Sequence, residues 1–183
     1  MWFLLVACHL PILQTEPSTV AGPKEWEQFV SDPKVAASYE RFKTKLQDEG
    51  VADVVPAWHL WRQGTDWQKL SEPGFAVPPE DSWGAIVPTL QLIREEVVPV
   101  VGPVFVVSSF RTERFNRRAG GAAGSRHKWF EAVDVVPQEF WLRESLHGEL
   151  MALWNVDGPR WNMGLGLYGG TRFHVDTHRH RKW

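Results

Sequence analysis

Two short apolar runs, Ala132-Val133-Asp134-Val135-Val136 and Phe173-His174-Val175, each carry one titratable side chain in their middle. Runs of this length, rich in β-branched and aromatic residues and bounded by polar or glycine-containing stretches, predict buried strands. A lone carboxylate in such a strand is costly unless it is paired or bound to a metal ion. Any fold for this chain must therefore bring a partner to Asp134, and the second interrupted strand offers His174. Side chains alternate along a strand, so Asp176 points to the same side as His174.

His127 precedes Asp134 by six intervening residues and closes a polar stretch, 111–126, that contains Gly120, Gly121 and Gly124. This stretch reads as one loop, and loops of that length in a small domain are usually functional. His127, Asp134 and His174 together make two imidazoles and one carboxylate, a recurrent catalytic zinc set that leaves the fourth position for water. Each of them alone also fits a hydrogen-bonded structural pair. The single cysteine, Cys8, allows neither an intramolecular disulfide nor a thiolate zinc site, so a metal has to be held by His and carboxylates.

With 183 residues, 43% of them hydrophobic and 23% charged, the chain is expected to form one folded domain. A formal charge of −2 supplies no field to hold a polyanion, and nucleic acid is not an expected partner. Residues 1–23 read as a signal- or lipoprotein-like segment followed by a linker, and 24–183 as the single domain. Met1 to Cys8 is apolar but too short to cross a bilayer. Leu5-Val6-Ala7-Cys8 resembles a bacterial lipobox without a basic n-region, so Cys8 is a candidate membrane tether. Pro11 to Pro23 has the composition of a linker.

Asp32-Pro33 predicts a helix start and Gly50 its stop, with Val35, Tyr39, Phe42 and Leu46 on the packed face. Trp58 to Trp67 reads as loop or short turns. Ile86, Leu90, Ile93 and Val97 mark a second helix that should end before Pro99. Val104 to Val107 predicts a strand, Phe140 to Trp154 a third helix, and Gly164 to Leu167 a strand pairing with Phe173 to Val175. Helices come first and strands are interspersed later, so the expected class is α+β, a small mixed or antiparallel sheet with flanking helices.

Ser108-Ser109-Phe110-Arg111-Thr112, Asn116, Gly120-Gly121, Ser125-x-His127 and Ala132-x-Asp134 are followed by Gly164-x-Gly166-x-Tyr168, Phe173-His174-Val175-Asp176-Thr177 and a terminal Arg181-Lys182-Trp183. In order and spacing these resemble the zinc D-Ala-D-Ala carboxypeptidase family, which includes murein endopeptidases and shares its fold with the hedgehog signalling domain. The resemblance covers about Trp83 to Trp183. It implies a hedgehog/DD-peptidase-like fold, zinc bound by His127, Asp134 and His174, and metal-activated water attacking a scissile carbonyl. It further implies that Arg111 steadies the developing oxyanion or a substrate carboxylate. The implied substrate is a stem or crosslink peptide of peptidoglycan, met in the bacterial cell envelope by a monomer. Two positions depart from the family pattern: Phe130 stands where a glycine is usual, and Thr171 where several members place a Glu general base.

Asp176 is then the candidate base, since a carboxylate can take a proton from activated water; the alternative is that it orients a ligating imidazole. His178 reads as an acid or substrate contact, or as part of a solvated basic tail with Arg179, His180 and Arg181. Arg111 can instead pair with Glu113 or Asp134. Ser125 is expected to set the loop beside the substrate, and Trp58, Trp61, Trp67 and Trp129 to line a groove or to fill the core. The rival to an enzyme is a non-catalytic zinc-containing domain of the same fold that binds cell wall or a protein.

Overall fold

The computed structural model describes residues 12–183, so Cys8 and the lipobox-like segment lie outside the described residues. Two helices come first, Pro23–Val30 (α1) and Pro33–Asp48 (α2). The Asp32 carboxylate accepts the backbone N–H of Lys34 at 2.7 Å, and Pro33 takes the first helical position, where no N–H is needed. Phe42 and Leu46 of α2 are buried, with Val35 and Tyr39 half-buried against the same core. The Trp58 to Trp67 region is a 3-10 turn, Ala57–Trp61, followed by the short helix Trp67–Leu70 (α3).

The second helix does not stop before Pro99. A 3-10 turn, Glu80–Ile86, leads into Val87–Leu92 (α4), a π turn at Ile93–Val97, and Val98–Val101 (α5). In the π turn the Val98 N–H bonds to the Ile93 carbonyl. That wider turn carries the hydrogen-bond ladder past Pro99, which has no N–H and whose ring would strike a carbonyl in a regular α-turn. Gly102, at φ 79°, ends the run.

Five strands follow: Val104–Ser108 (β1), Ala132–Pro137 (β2), Gly164–Leu167 (β3), Phe173–Asp176 (β4) and Arg181–Lys182 (β5). They form one mixed sheet in the order β1-β2-β4-β3-β5, antiparallel except where β5 runs parallel to β3. The class is α+β, as the residue pattern indicated. Between β1 and β2 the predicted loop contains a helix, Glu113–Arg118 (α6), because Thr112 caps it: its hydroxyl accepts the Phe115 N–H at 3.2 Å. The last helix, Arg143–Val156 (α7), starts three residues later than expected, leaving Phe140 and Leu142 exposed.

Alternation then divides the sheet. Val133, Val135, Leu165, Phe173 and Val175 are fully buried in the core that also takes Leu90, Ile93, Leu146 and Leu150 from the helices. The opposite face carries a cross-strand row, Ser108, Asp134, His174 and Gly166, with Ala132, Asp176 and Gly164 beside it. The register of β1 against β2 shifts between Val106 and Ser108, a bulge that aims Ser108 into this row.

The described part of the expected linker is packed, not free. Leu13 bridges to Glu139, and the Gln14 N–H donates to the Gln138 carbonyl at 2.7 Å. Glu16 accepts both guanidinium ends of the fully buried Arg62, at 2.6 and 2.9 Å, and Ala21 is buried. A buried guanidinium needs a carboxylate, and this pair ties the strap into the domain. Among the described residues no helix is long and apolar enough to cross a membrane.

Candidate metal centre

Asp134 on β2 and His174 on β4 are direct cross-strand partners. His127 reaches them from a 3-10 turn, Arg126–Trp129, that ends at Phe130. Phe130 holds the left-handed conformation, φ 57° and ψ 35°, that a glycine would adopt without strain. Phe130 thus stands at the glycine position with a positive φ of its own. Its ring is fully buried, 5.8 Å from Phe42 and 6.1 Å from Phe110, and this burial offsets the backbone cost.

Three donor atoms converge. Asp134 Oδ1 lies 3.1 Å from His127 Nε2 and 3.0 Å from His174 Nδ1, and the two nitrogens are 3.2 Å apart. All three residues are buried. The outer ring nitrogens fix the tautomers: His127 Nδ1–H donates to the Ser109 carbonyl at 2.7 Å, and His174 Nε2–H to Asp176 Oδ2 at 2.8 Å. The inner nitrogens are then left to face one carboxylate oxygen. Three lone pairs at this separation need a cation between them, either one proton on His174 Nδ1 or a metal ion. Burial opposes charge on His174, yet Asp134 and Asp176 outweigh it and raise its pKa. Burial and then the Arg111 charge push His127 down to about 4. Burial would raise Asp134, but His127, His174 and Arg111 hold it well below the usual carboxylate range.

The group fits a metal ion. His127, Asp134 and His174 form the metal-capable cluster found among the described residues, with donor atoms mutually within 4.8 Å. Ligands about 2.0–2.1 Å from zinc on a tetrahedron sit roughly 3.3 Å apart, close to the separations here.

The donors open onto a cleft of about 590 Å³ lined also by Arg111, Ser125, Tyr168, Arg172 and Trp183. Arg111 Nη2 donates to Asp134 Oδ2 at 2.7 Å, and its Nε to Ser108 Oγ at 2.8 Å and the Gln63 carbonyl at 3.0 Å. The ion pair with Asp134 is therefore real, and Glu113 pairs instead with Lys128. Arg111 Nη1 makes no hydrogen bond among the described residues, and Arg111 lines the cleft.

Asp176 does not line the cleft. It is fully buried behind the His174 ring, where Oδ2 also accepts Arg181 Nη2 at 2.7 Å and Oδ1 accepts the His178 N–H at 2.9 Å. Burial would raise its pKa, yet His174 and Arg181 hold it down to about 2. Its oxygens are engaged by His174, Arg181 and the His178 N–H, which favours the role of orienting the imidazole over that of a base. His178 is likewise not a cleft residue; its side chain is half-exposed near Arg126 and Glu131. The C-terminal residues are not a free tail, because Arg181 pairs with Asp176 and His180 stacks on Trp154 at 4.1 Å. Of the four tryptophans, Trp61 is fully buried, Trp58 and Trp67 pack on the core, Trp129 is exposed, and none lines the cleft.

The residue pattern alone assigns no role to Tyr168, Arg172 or Trp183. Tyr168 shares the parity of Gly164 and Gly166, and that alternation is the signal that places it on the His174 face. The two glycines are needed for close approach: a Cβ at Gly164 would meet Asp176 Oδ2 at 2.5 Å, and one at Gly166 the Trp183 indole at 2.7 Å. Trp183 in turn packs against His174, ring centroids 5.0 Å apart.

The peptidase M15 family profile matches residues 56–150, which includes His127 and Asp134 and stops before His174. No curated protein and no solved structure matches the chain. Over half of the sequence follows the family pattern, and the sheet brings His174 to the two donors inside the matched region. The chain belongs to the peptidase M15 family of metallopeptidases.

Proposed function

We propose that this protein is a zinc-dependent peptidase acting on stem or crosslink peptides of bacterial peptidoglycan, as a D-Ala-D-Ala carboxypeptidase or murein endopeptidase. The observation that carries this reading is the convergence of His127 Nε2, Asp134 Oδ1 and His174 Nδ1 in the wall of an open cleft large enough for a peptide. Zinc bound by these three residues would supply Lewis-acid activation of water and of the scissile carbonyl.

The chain's own residues do the rest. Ser109 and Asp176 hold the two imidazoles in the ligating tautomer, so Asp176 is a positioning residue acting through His174. Arg111 is braced by Ser108 and Gln63 and offers Nη1 to the oxygen on which negative charge develops. Tyr168 places its hydroxyl 3.4 Å from Asp134 Oδ1, where it can donate to a substrate oxygen entering the cleft. Ser125, beside His127 in the lining, contributes to the peptide-binding wall. The same reading assigns the protein to the cell envelope as a monomer and makes Cys8 the candidate attachment point for a lipid.

One observation favours a second reading. Thr171 stands where a Glu base is common and Asp176 is turned away, which suits a non-catalytic metal-containing domain that binds cell wall or a protein. Incubating the purified protein with peptidoglycan and separating the muropeptides decides between them. The peptidase releases new peptide or D-alanine products that a chelator abolishes; an unchanged muropeptide profile with metal-loaded protein supports the binding domain and overturns the enzyme.

A further inference from the structure

Four guanidinium groups line the cleft: Arg111, Arg126, Arg172 and Arg181. Three are engaged with carboxylates: Arg111 with Asp134 at 2.7 Å, Arg181 with Asp176 at 2.7 Å, and Arg126 with Glu131 at 3.2 Å. Arg172 has no carboxylate partner among the described residues. It is half-buried, and its guanidinium carbon lies 4.4 Å from the centroid of the Tyr168 ring. The ring face therefore holds it in place of an acid. The backbone secures the pair, since the Tyr168 N–H donates to the Arg172 carbonyl at 3.3 Å across the turn joining β3 to β4. Asp66, an exposed carboxylate that also lines the cleft, makes no ion pair with Arg172.

The Tyr168 hydroxyl end faces Asp134 Oδ1 at 3.4 Å, so the free cation stands one aromatic ring from the metal donors. That separation is within the span of one or two extended residues, at about 3.5 Å each. A guanidinium fork prefers a carboxylate, which it can bind through two parallel hydrogen bonds. We infer that Arg172, stacked on Tyr168, is a specificity-determining residue that binds a free carboxylate of the substrate peptide one or two residues from the scissile bond. The inference rests on the peptidase reading above and narrows it to anionic peptides. The carboxylate can be the chain terminus or an acidic residue of the stem, and the test separates the two.

The probes are a synthetic stem pentapeptide ending in D-Ala-D-Ala with its carboxylates free, and the same peptide amidated at the C-terminus, at the glutamate carboxylate, or at both. Two readouts are compared: kcat/KM with the zinc-loaded full chain, and calorimetric binding to the full chain in chelator, where no turnover occurs. The native protein should favour the free acid over the doubly amidated peptide by about tenfold or more in both. Arg172→Gln should bring that ratio to about one, while Arg172→Lys, which keeps the charge, should retain part of it. The single amide that lowers the ratio identifies the carboxylate. A native protein indifferent to amidation, or an Arg172→Gln variant that keeps the full preference, overturns the inference. Carboxylate preference in binding without any release from peptidoglycan would sink the peptidase reading alone, and cleavage without the preference would sink this inference alone.

Discussion

Asp176 accepts the Nε2–H of His174 at 2.8 Å from the side of the ring opposite Asp134, so one imidazole is gripped between two carboxylates. The inner contact aims Nδ1 at the metal position and the outer one fixes the tautomer. Arg181 and the His178 N–H complete the outer carboxylate, which explains why the last residues fold back along β3. Metal affinity is in this way tied to the contact between Arg181 and Asp176.

Replacing Asp176 with Asn should therefore weaken metal binding by about 10- to 100-fold, the usual cost of losing a ligand's outer partner. Competition with a chromophoric chelator measures it. Affinity equal to that of the native protein would show that His174 needs no anchor.

The strands and the cluster of His127, Asp134 and His174 were legible because polar side chains inside apolar runs are visible without a structure. Other features depended on three-dimensional context. Alternation put Asp176 on the same sheet face as His174, but whether it meets the metal or stands behind the ring depends on the ring's rotamer, which no spacing encodes. The helix carried through Pro99 needs a π turn that periodicity does not reveal. The strap from Ile12 to Ala21 looked like a linker because its tie, Glu16 to Arg62, spans 46 positions. That Phe130 can hold a positive φ at the glycine position was not legible, since its compensation comes from Phe42 and Phe110, distant in sequence.

Phe130 gives a reversal of the ordinary order of small residues. Both Phe130→Ala and Phe130→Gly lose the buried ring, at a cost of about 3–5 kcal/mol. Only glycine also relieves the φ of 57°, so Phe130→Gly should be the more stable of the two by about 1 kcal/mol. Urea unfolding of both variants checks this. An alanine variant at least as stable as the glycine one would show that the turn relaxes.

Glu16 neutralises a guanidinium with no exposure to solvent. Glu16→Gln should destabilise the domain by about 2–3 kcal/mol and open the strap to proteolysis. Limited digestion followed by mass spectrometry locates the cut. Native resistance around residues 12–22 would mean that the two carbonyls on Arg62, from Ala21 and Val106, suffice.

Burial, and then the Arg62 charge, push His59 down to about 4. Its unfolded value is about 6.5, so the unfolded chain binds the extra proton between these limits. His59 therefore costs nothing above about pH 6.5, and stability falls as the pH drops from there towards 4. In metal-free protein, His59→Leu should lose about 2–3 kcal/mol less than the native chain between pH 7 and pH 4. Denaturant titrations at the two pH values test it, and equal losses would contradict the assignment.

His127, Asp134 and His174 are together proposed to hold a single metal ion. Elemental analysis of the zinc-loaded full chain, beside His127→Ala, Asp134→Ala and His174→Ala, tests this most directly. The native protein should carry about one zinc per chain and each variant should lose it, because two protein ligands are too few to retain the ion. Full zinc occupancy in any of the three variants would contradict the claim.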